Sequence, residues 1–143
     1  MDSRTSDVRP GELAAQIVQV ADPDKIAELL AEDVTWWISP AVPTEIMPSV
    51  THGREAMREN LKRVFSRLYV EGSQQTTVHQ TISEGRFGAA RWSMSGAFPT
   101  GGRFRNEYCI WVEVENGRAM RVWEYVDLAH TNAQMEAGRR AKS

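Results

Sequence analysis

Glu124 stands between Val122 and Val126, so an alternating strand would turn all three side chains to one face. If that face is buried, a carboxylate sits among valines, where ionisation is costly and its pKa must rise. A nearby Arg91 would lower it again, and the balance sets whether the carboxyl can exchange protons near neutral pH as a general acid/base. Arg91 opens the run Arg91-Trp-Ser93-Met-Ser95, and its fork of donors suits a carboxylate, an enolate or a carbonyl oxygen. His79 is a candidate proton shuttle. A plainer reading of the same residues is an internal Arg91–Glu124 ion pair with no chemistry.

Other chemistries find little support. His52, His79 and His130 lack any metal-ligand spacing, and the single cysteine, Cys109, falls inside a strand pattern, where it reads as a small buried hydrophobe. Nothing matches a phosphate-binding glycine loop, a GxSxG elbow or a dinucleotide fingerprint, so the expected reaction uses no metal and no cofactor. Acidic and basic residues are interspersed at a net charge of −2, which argues against nucleic-acid or membrane partners. One cysteine cannot form an internal disulfide, and residues 1–10 lack the apolar core of a signal peptide. A cytoplasmic location is therefore expected.

At 143 residues, 41% apolar and 25% charged, the chain fits a single domain, 1–143, with flexible tails at 1–10 and 131–143. Residues 11–21 read as a helix with Leu13, Ile17 and Val20 on one side. Asp22 then caps a second helix that opens on Pro23 and carries Ile26, Leu29 and Leu30 as its stripe. Val34 to Ile38 is a short strand, and 39–52 is a proline-rich loop that still holds Val42, Ile46, Met47 and Val50. That loop is either a lid over a binding site or a cover for one end of the core. Residues 53–68 form the strongest helix, with Met57, Leu61, Val64, Phe65 and Leu68 as a core stripe. Four alternating segments follow at 74–83, 86–98, 103–115 and 117–127. Asn116-Gly117 joins the last two as a hairpin turn. Helices first and strands second predict an α+β fold, a cone-shaped, curved antiparallel sheet packed against N-terminal helices.

This order of elements resembles the nuclear transport factor 2-like superfamily, and within it the SnoaL-like polyketide cyclases and limonene-epoxide-hydrolase-like proteins. The likeness covers about residues 11–130. It is carried by Ala-Glu-Asp-Val-Thr-Trp-Trp from Ala31, by the helix entry His52-Gly-Arg-Glu-Ala-Met, and by the closing hairpin with Asn-Gly-Arg and then Trp-Glu-Tyr-Val-Asp. The resemblance implies a cystatin-like α+β roll with a conical pocket for a small molecule. It covers isomerases, cyclases, dehydratases, epoxide hydrolases and non-catalytic binding modules.

The epoxide-hydrolase branch implies an arginine at Arg91 and an aspartate where Ser93 stands. Its second aspartate falls on Glu124, and its water-holding tyrosine and asparagine fall on Trp36 and Ile38. Only the arginine matches outright, so that reaction is disfavoured. The ketosteroid-isomerase branch would place its base near Ile38 or Ser39, neither of which can act as one, and the first helix holds no tyrosine for its oxyanion donor. The polyketide-cyclase branch uses one acid/base carboxylate on a late strand, a place that Glu124 or Asp127 fills.

With Arg91 taken as inward, alternation predicts the pocket face. Ser93 and Ser95 would share it, while Trp92 and Met94 would face outward and mark a homodimer interface. The next strands would contribute Glu107, Cys109 and Trp111, then Val122, Glu124 and Val126. Gln75, Thr77 and His79 would come from the first sheet strand, with Trp36 and Ile38 on the far wall. Tyr108 and Tyr125 would face outward, and Asp127 would cap the C-terminal segment. The expected protein is a cofactor-free isomerase, cyclase or dehydratase acting on an apolar carbonyl compound, with Glu124 as acid/base and Arg91 as stabiliser. The alternative is a non-catalytic small-ligand-binding or dimerisation module of the same fold.

Overall fold

The computed structural model describes residues 8–39 and 47–127, and beyond them His130, Ala133, Gln134, residues 136–138 and Arg140. The predicted lid residues 40–46 lie outside this set. Helix α1 (Pro10–Gln19) starts on a proline, which loses nothing at a position whose N–H has no helical partner. Helix α2 (Pro23–Glu28) is capped as expected: the Asp22 carboxylate accepts from the N–H groups of Asp24 and Lys25 at 2.9 and 3.3 Å. Helix α3 (Arg54–Arg67) buries Met57, Asn60 and Leu61.

Among the described residues six strands form one sheet: β1 (Leu30–Ile38), β2 (Val50–His52), β3 (Gln75–Glu84), β4 (Phe87–Ala97), β5 (Arg103–Glu115) and β6 (Arg118–Val126). Their order is β2-β1-β6-β5-β4-β3. The sheet is mixed rather than purely antiparallel, because β1 lies parallel to β6. A parallel neighbour needs a long crossover, and the whole path through α3 and β3–β5 supplies it. Sequence alternation placed the four long strands within a residue or two of their observed ends. It started β1 four residues late, because Leu30 had been assigned to the helical stripe, and it missed β2, whose three residues are too short to show a period.

The β5–β6 turn forms where expected, with φ of 53° at Asn116 and 77° at Gly117. Register irregularities at Val78/Gln80 and Glu113/Val114 interrupt the ladders, as bulges that bend a sheet do. Helix α1 lies very close to the sheet: a Cβ on Gly88 of β4 would come within 2.2 Å of the Gly11 nitrogen. Gly88 thus sets the height of α1 above β4, and Gly11 its approach to β3, where a Cβ would come within 2.5 Å of the Ile82 carbonyl oxygen. Glu113 is buried at 1% exposure and is ion-paired to Arg86 and Arg121 at 2.8 and 3.0 Å. Among the described residues of the C-terminal segment, Gln134 bonds the backbone of Arg105 and the side chain of Asn106, each at 2.7 Å. Asp127 caps this segment, accepting from the His130 N–H at 3.0 Å.

Candidate functional site

Between the helices and the inner face of the sheet lies a cavity of about 130 Å³. Ile17 and Val18 of α1 and Ile26 of α2 form one wall. Leu61, Val64 and Phe65 of α3 form another, continued by Leu68 and Tyr69. The sheet supplies Trp36 and Ile38 from β1, Trp92 and Met94 from β4, Tyr108 and Ile110 from β5, and Glu124 and Val126 from β6. Met47 closes part of the wall, and Gln74 and Thr76 add a polar edge. The α3 stripe read from sequence as core does pack in the core, with Met57 fully buried, and its members Leu61, Val64, Phe65 and Leu68 also roof the cavity.

Register explains the setting of Glu124. It pairs with Ile110 on one side and Ile38 on the other, so its sheet neighbours on the inner face are aliphatic. Burial pushes its carboxyl up to about 7, and a hydrogen bond from the Trp36 indole N–H to Oε1, at 3.2 Å, partly offsets this by favouring the charged form. Among the described lining residues Glu124 is the one acid, and none is Lys, Arg or His. Ser39 and Glu124 also join through the backbone, Ser39 N–H to the Glu124 carbonyl at 3.1 Å, which holds the ends of β1 and β6 together.

Two tyrosines complete the polar part of the site. The Tyr69 and Tyr108 hydroxyls interact with each other, and Tyr108 also interacts with the Asn106 side chain. Burial is the main reason that Tyr69 is held well above the ordinary phenol range and Tyr108 is pushed up to about 12. Both therefore stay protonated at neutral pH and act as donors. The Tyr108 ring stacks on Trp92, with centroids 4.1 Å apart and planes 12° from parallel. Tyr108 was expected to face outward, and it is buried in the cavity wall instead.

The face assignment of β3, β4 and β5 is reversed from the sequence expectation. Arg91, Ser93, Glu107, Cys109 and Trp111 lie on the outer side of the sheet, as does His79, whereas Trp92 and Met94 point into the cavity. Trp92 and Met94 therefore mark no outward interface, and the internal Arg91–Glu124 pair does not form, because the two side chains project from opposite faces. On β1 and β6 the assignment agrees with the structure: Trp36, Ile38, Glu124 and Val126 line the cavity, and Val122 is buried one step deeper. Cys109 is half-buried, free, and directed away from the cavity.

On the outer face His79 Nε2 lies 3.0 Å from Ser93 Oγ and 3.7 Å from a Glu107 oxygen. This is no nucleophile–base relay. The same ring nitrogen meets both partners, and Ser93 is only 1% exposed, out of reach of a substrate. Arg91 lines a shallow surface groove there with Ser39, Glu107, Tyr125 and Asp127. The signal that would have found the true face was plain alternation. On β4 and β5 the apolar set is Trp92, Met94, Phe104, Tyr108 and Ile110, and the polar set is Arg91, Ser93, Arg105 and Glu107.

The comparisons with known proteins agree with this architecture. The model of the SnoaL-like domain matches residues 13–122. No curated protein matches the sequence. An NTF2-like protein from Burkholderia thailandensis superposes with a TM-score of 0.74 at 14% identity, covering 89% of this chain and 97% of that one. A Catenulispora acidiphila protein of ketosteroid isomerase-like fold, in complex with trimethylamine, gives 0.68 at 14% identity, covering 94% and 93%. TerC, co-crystallised with polyporic acid, gives 0.72 at 14% identity, covering 87% and 98%. At such identities the structural likeness speaks for the fold alone, which is NTF2-like. With the family model spanning most of the helices, the sheet and the cavity, this chain belongs to the SnoaL-like domain family.

Proposed function

We propose that the chain catalyses cofactor-free proton transfer on a small carbonyl compound held in the cavity, leading to isomerisation, cyclisation or dehydration. The observation that carries this reading is a lone carboxyl, Glu124, in an apolar cavity, with its pKa near the pH at which it would work. In the isomerase form Glu124 takes the proton from the carbon next to the carbonyl and returns it two carbons along. The double bond moves and no atom is gained or lost. Tyr108, protonated and in the cavity wall, donates a hydrogen bond to the carbonyl oxygen as negative charge builds there. That replaces the role first given to Arg91. The trimethylamine and polyporic acid held by two structural neighbours support a small-molecule reading.

The volume limits the ligand. A cavity of about 150 Å³ in an engineered protein takes up benzene, so the substrate's buried part is on the scale of one ring. The outer face, with its exposed Trp111 and Tyr125, is the surface where a second copy of the chain would dock. Cyclohex-3-enone and related small ketones, incubated with the protein in D₂O and followed by proton NMR, test the chemistry. Wild type should exchange the α-hydrogens and form the conjugated enone, and Glu124→Gln should not. Exchange that is equally fast in the variant would remove Glu124 from the mechanism.

A further inference from the structure

We infer that the same cavity also takes a small organic cation, an ammonium group on a compact apolar body, with Glu124 as its counter-charge and the aromatic walls around its methyl groups. The inference does not depend on turnover of a carbonyl compound. It starts from an imbalance of charge. Among the described residues that line the cavity there is one carboxyl and no cationic side chain. Elsewhere the chain shows the ordinary solution to a buried carboxylate, because Glu113 is closed in by both Arg86 and Arg121. Among the described residues the side-chain partner of Glu124 is the Trp36 N–H, on one of its two oxygens. Arg91 on β4, the arginine expected from sequence to pair with it, faces the other way. A site with a partner for one oxygen and space beside the other is one cation short.

The walls fit that cation. Trp36, Phe65, Tyr69, Trp92 and Tyr108 all line the cavity, and aromatic faces attract ammonium groups through the ring quadrupole, most strongly where water is excluded. Methylated ammonium suits such walls better than a primary amine, because it has no N–H groups that need hydrogen-bond acceptors. The polar lining offers few: Gln74, Thr76, the two tyrosines and Glu124 itself. The titratable groups that face Glu124 are Tyr69 beyond α3 and Tyr108 on β5. The lining residues of α1, α2, β1 and β4 are all non-titrating. Since both phenols stay protonated, the charge of the cavity follows Glu124 alone.

Choline and its neutral carbon isostere 3,3-dimethyl-1-butanol make the test, because they share a shape and differ in one charge that no pH change removes. Calorimetric titration of the full chain at about pH 8.5 should show choline binding at least tenfold more tightly than the alcohol. Lowering the pH to about 5.5 should weaken choline by roughly tenfold or more, since the carboxyl must lose its proton to hold the cation, and should leave the alcohol unchanged. Glu124→Gln should abolish the preference for choline at either pH while retaining the alcohol. The wild-type pH series stands by itself if the variant folds poorly. Equal binding of the two compounds at high pH would overturn the proposal while leaving the carbonyl reading intact. So would choline binding that ignores both pH and the substitution, which would put the cation on the outer face near Glu107. Absence of binding by either compound overturns it as well.

Discussion

Glu124 illustrates how a single side chain can be stable, reactive or both according to its proton. Its folded pKa, about 7, lies above the ordinary 4.5. Below pH 4.5 the carboxyl is neutral in both states and costs the fold nothing electrostatic. As the pH rises from 4.5 through 7 the unfolded chain releases the proton more readily than the folded one, so stability falls, and it levels off above 7. Glu124→Gln removes the ionisation and keeps the shape. The variant should therefore be more stable than wild type at pH 8, by on the order of 2–3 kcal/mol, with the gap closing towards pH 4.5. Urea unfolding of both proteins at several pH values measures this, and a constant gap would mean that the carboxyl is not desolvated. Tyr108→Phe separates binding from catalysis. Loss of one oxyanion donor should lower kcat by roughly 10²–10³-fold with little change in KM. Tyr69→Phe, which only polarises Tyr108, should do less. Neither tyrosine was legible as functional in the sequence, because a phenol on a strand shows its chemistry only once its hydrogen-bond partners are known.

At the level of elements, the strands and their turns were readable because period-2 alternation and the Asn116-Gly117 pair are local signals. The facing of β4 was readable too, from Trp92 and Met94 against Arg91 and Ser93. Taking Arg91, the residue with the most chemistry, as inward inverts β4, and antiparallel pairing carries the inversion to β3 and β5. β6 escaped it because Glu124 shares its face with Val122 and Val126. Non-local contacts such as the approach of α1 to the sheet leave no such pattern. Gly11 and Gly88 are ordinary glycines in sequence, yet a methyl on Gly88 would strike the backbone at Pro10 and Gly11. Gly88→Ala should lift α1 off β4, lowering stability by about 1–3 kcal/mol. Because Ile17 and Val18 of α1 wall the cavity, the same change should weaken ligand binding. Thermal unfolding with and without a bound ligand reads both effects. A variant that loses stability but binds unchanged would show that α1 only closes the fold.

The whole molecule has two faces of different makeup, and the sheet divides them. Inside, Glu124 and the aromatic rings enclose a site. Outside, Trp37 of β1, Trp123 of β6 and Trp111 of β5 stand side by side across three strands, with Tyr125 against Trp37 at a centroid distance of 5.0 Å. Trp111 is 41% exposed and Tyr125 is 47% exposed, an uncommon use of large aromatic area on a chain that works alone. Beside this row lie Arg91, Arg105 and Glu107, charges of both signs that a two-fold related copy can pair. Such a patch, apolar at its centre and charged at its rim, has the makeup of an interface between subunits. Light scattering at micromolar concentration should therefore give about twice the chain mass of 16.1 kDa. Trp111→Glu puts a charge at the centre of the row. The side chain is not needed for the core, so the variant should fold, keep its circular dichroism spectrum and run at the mass of one chain. A wild-type protein already at that mass would leave the tryptophan row to a different partner. A variant that stays double would move the contact elsewhere on the surface. If the variant becomes a single chain and still binds ligand in the cavity, each subunit holds a complete site, as expected of a sheet whose two faces share a backbone and no side chains.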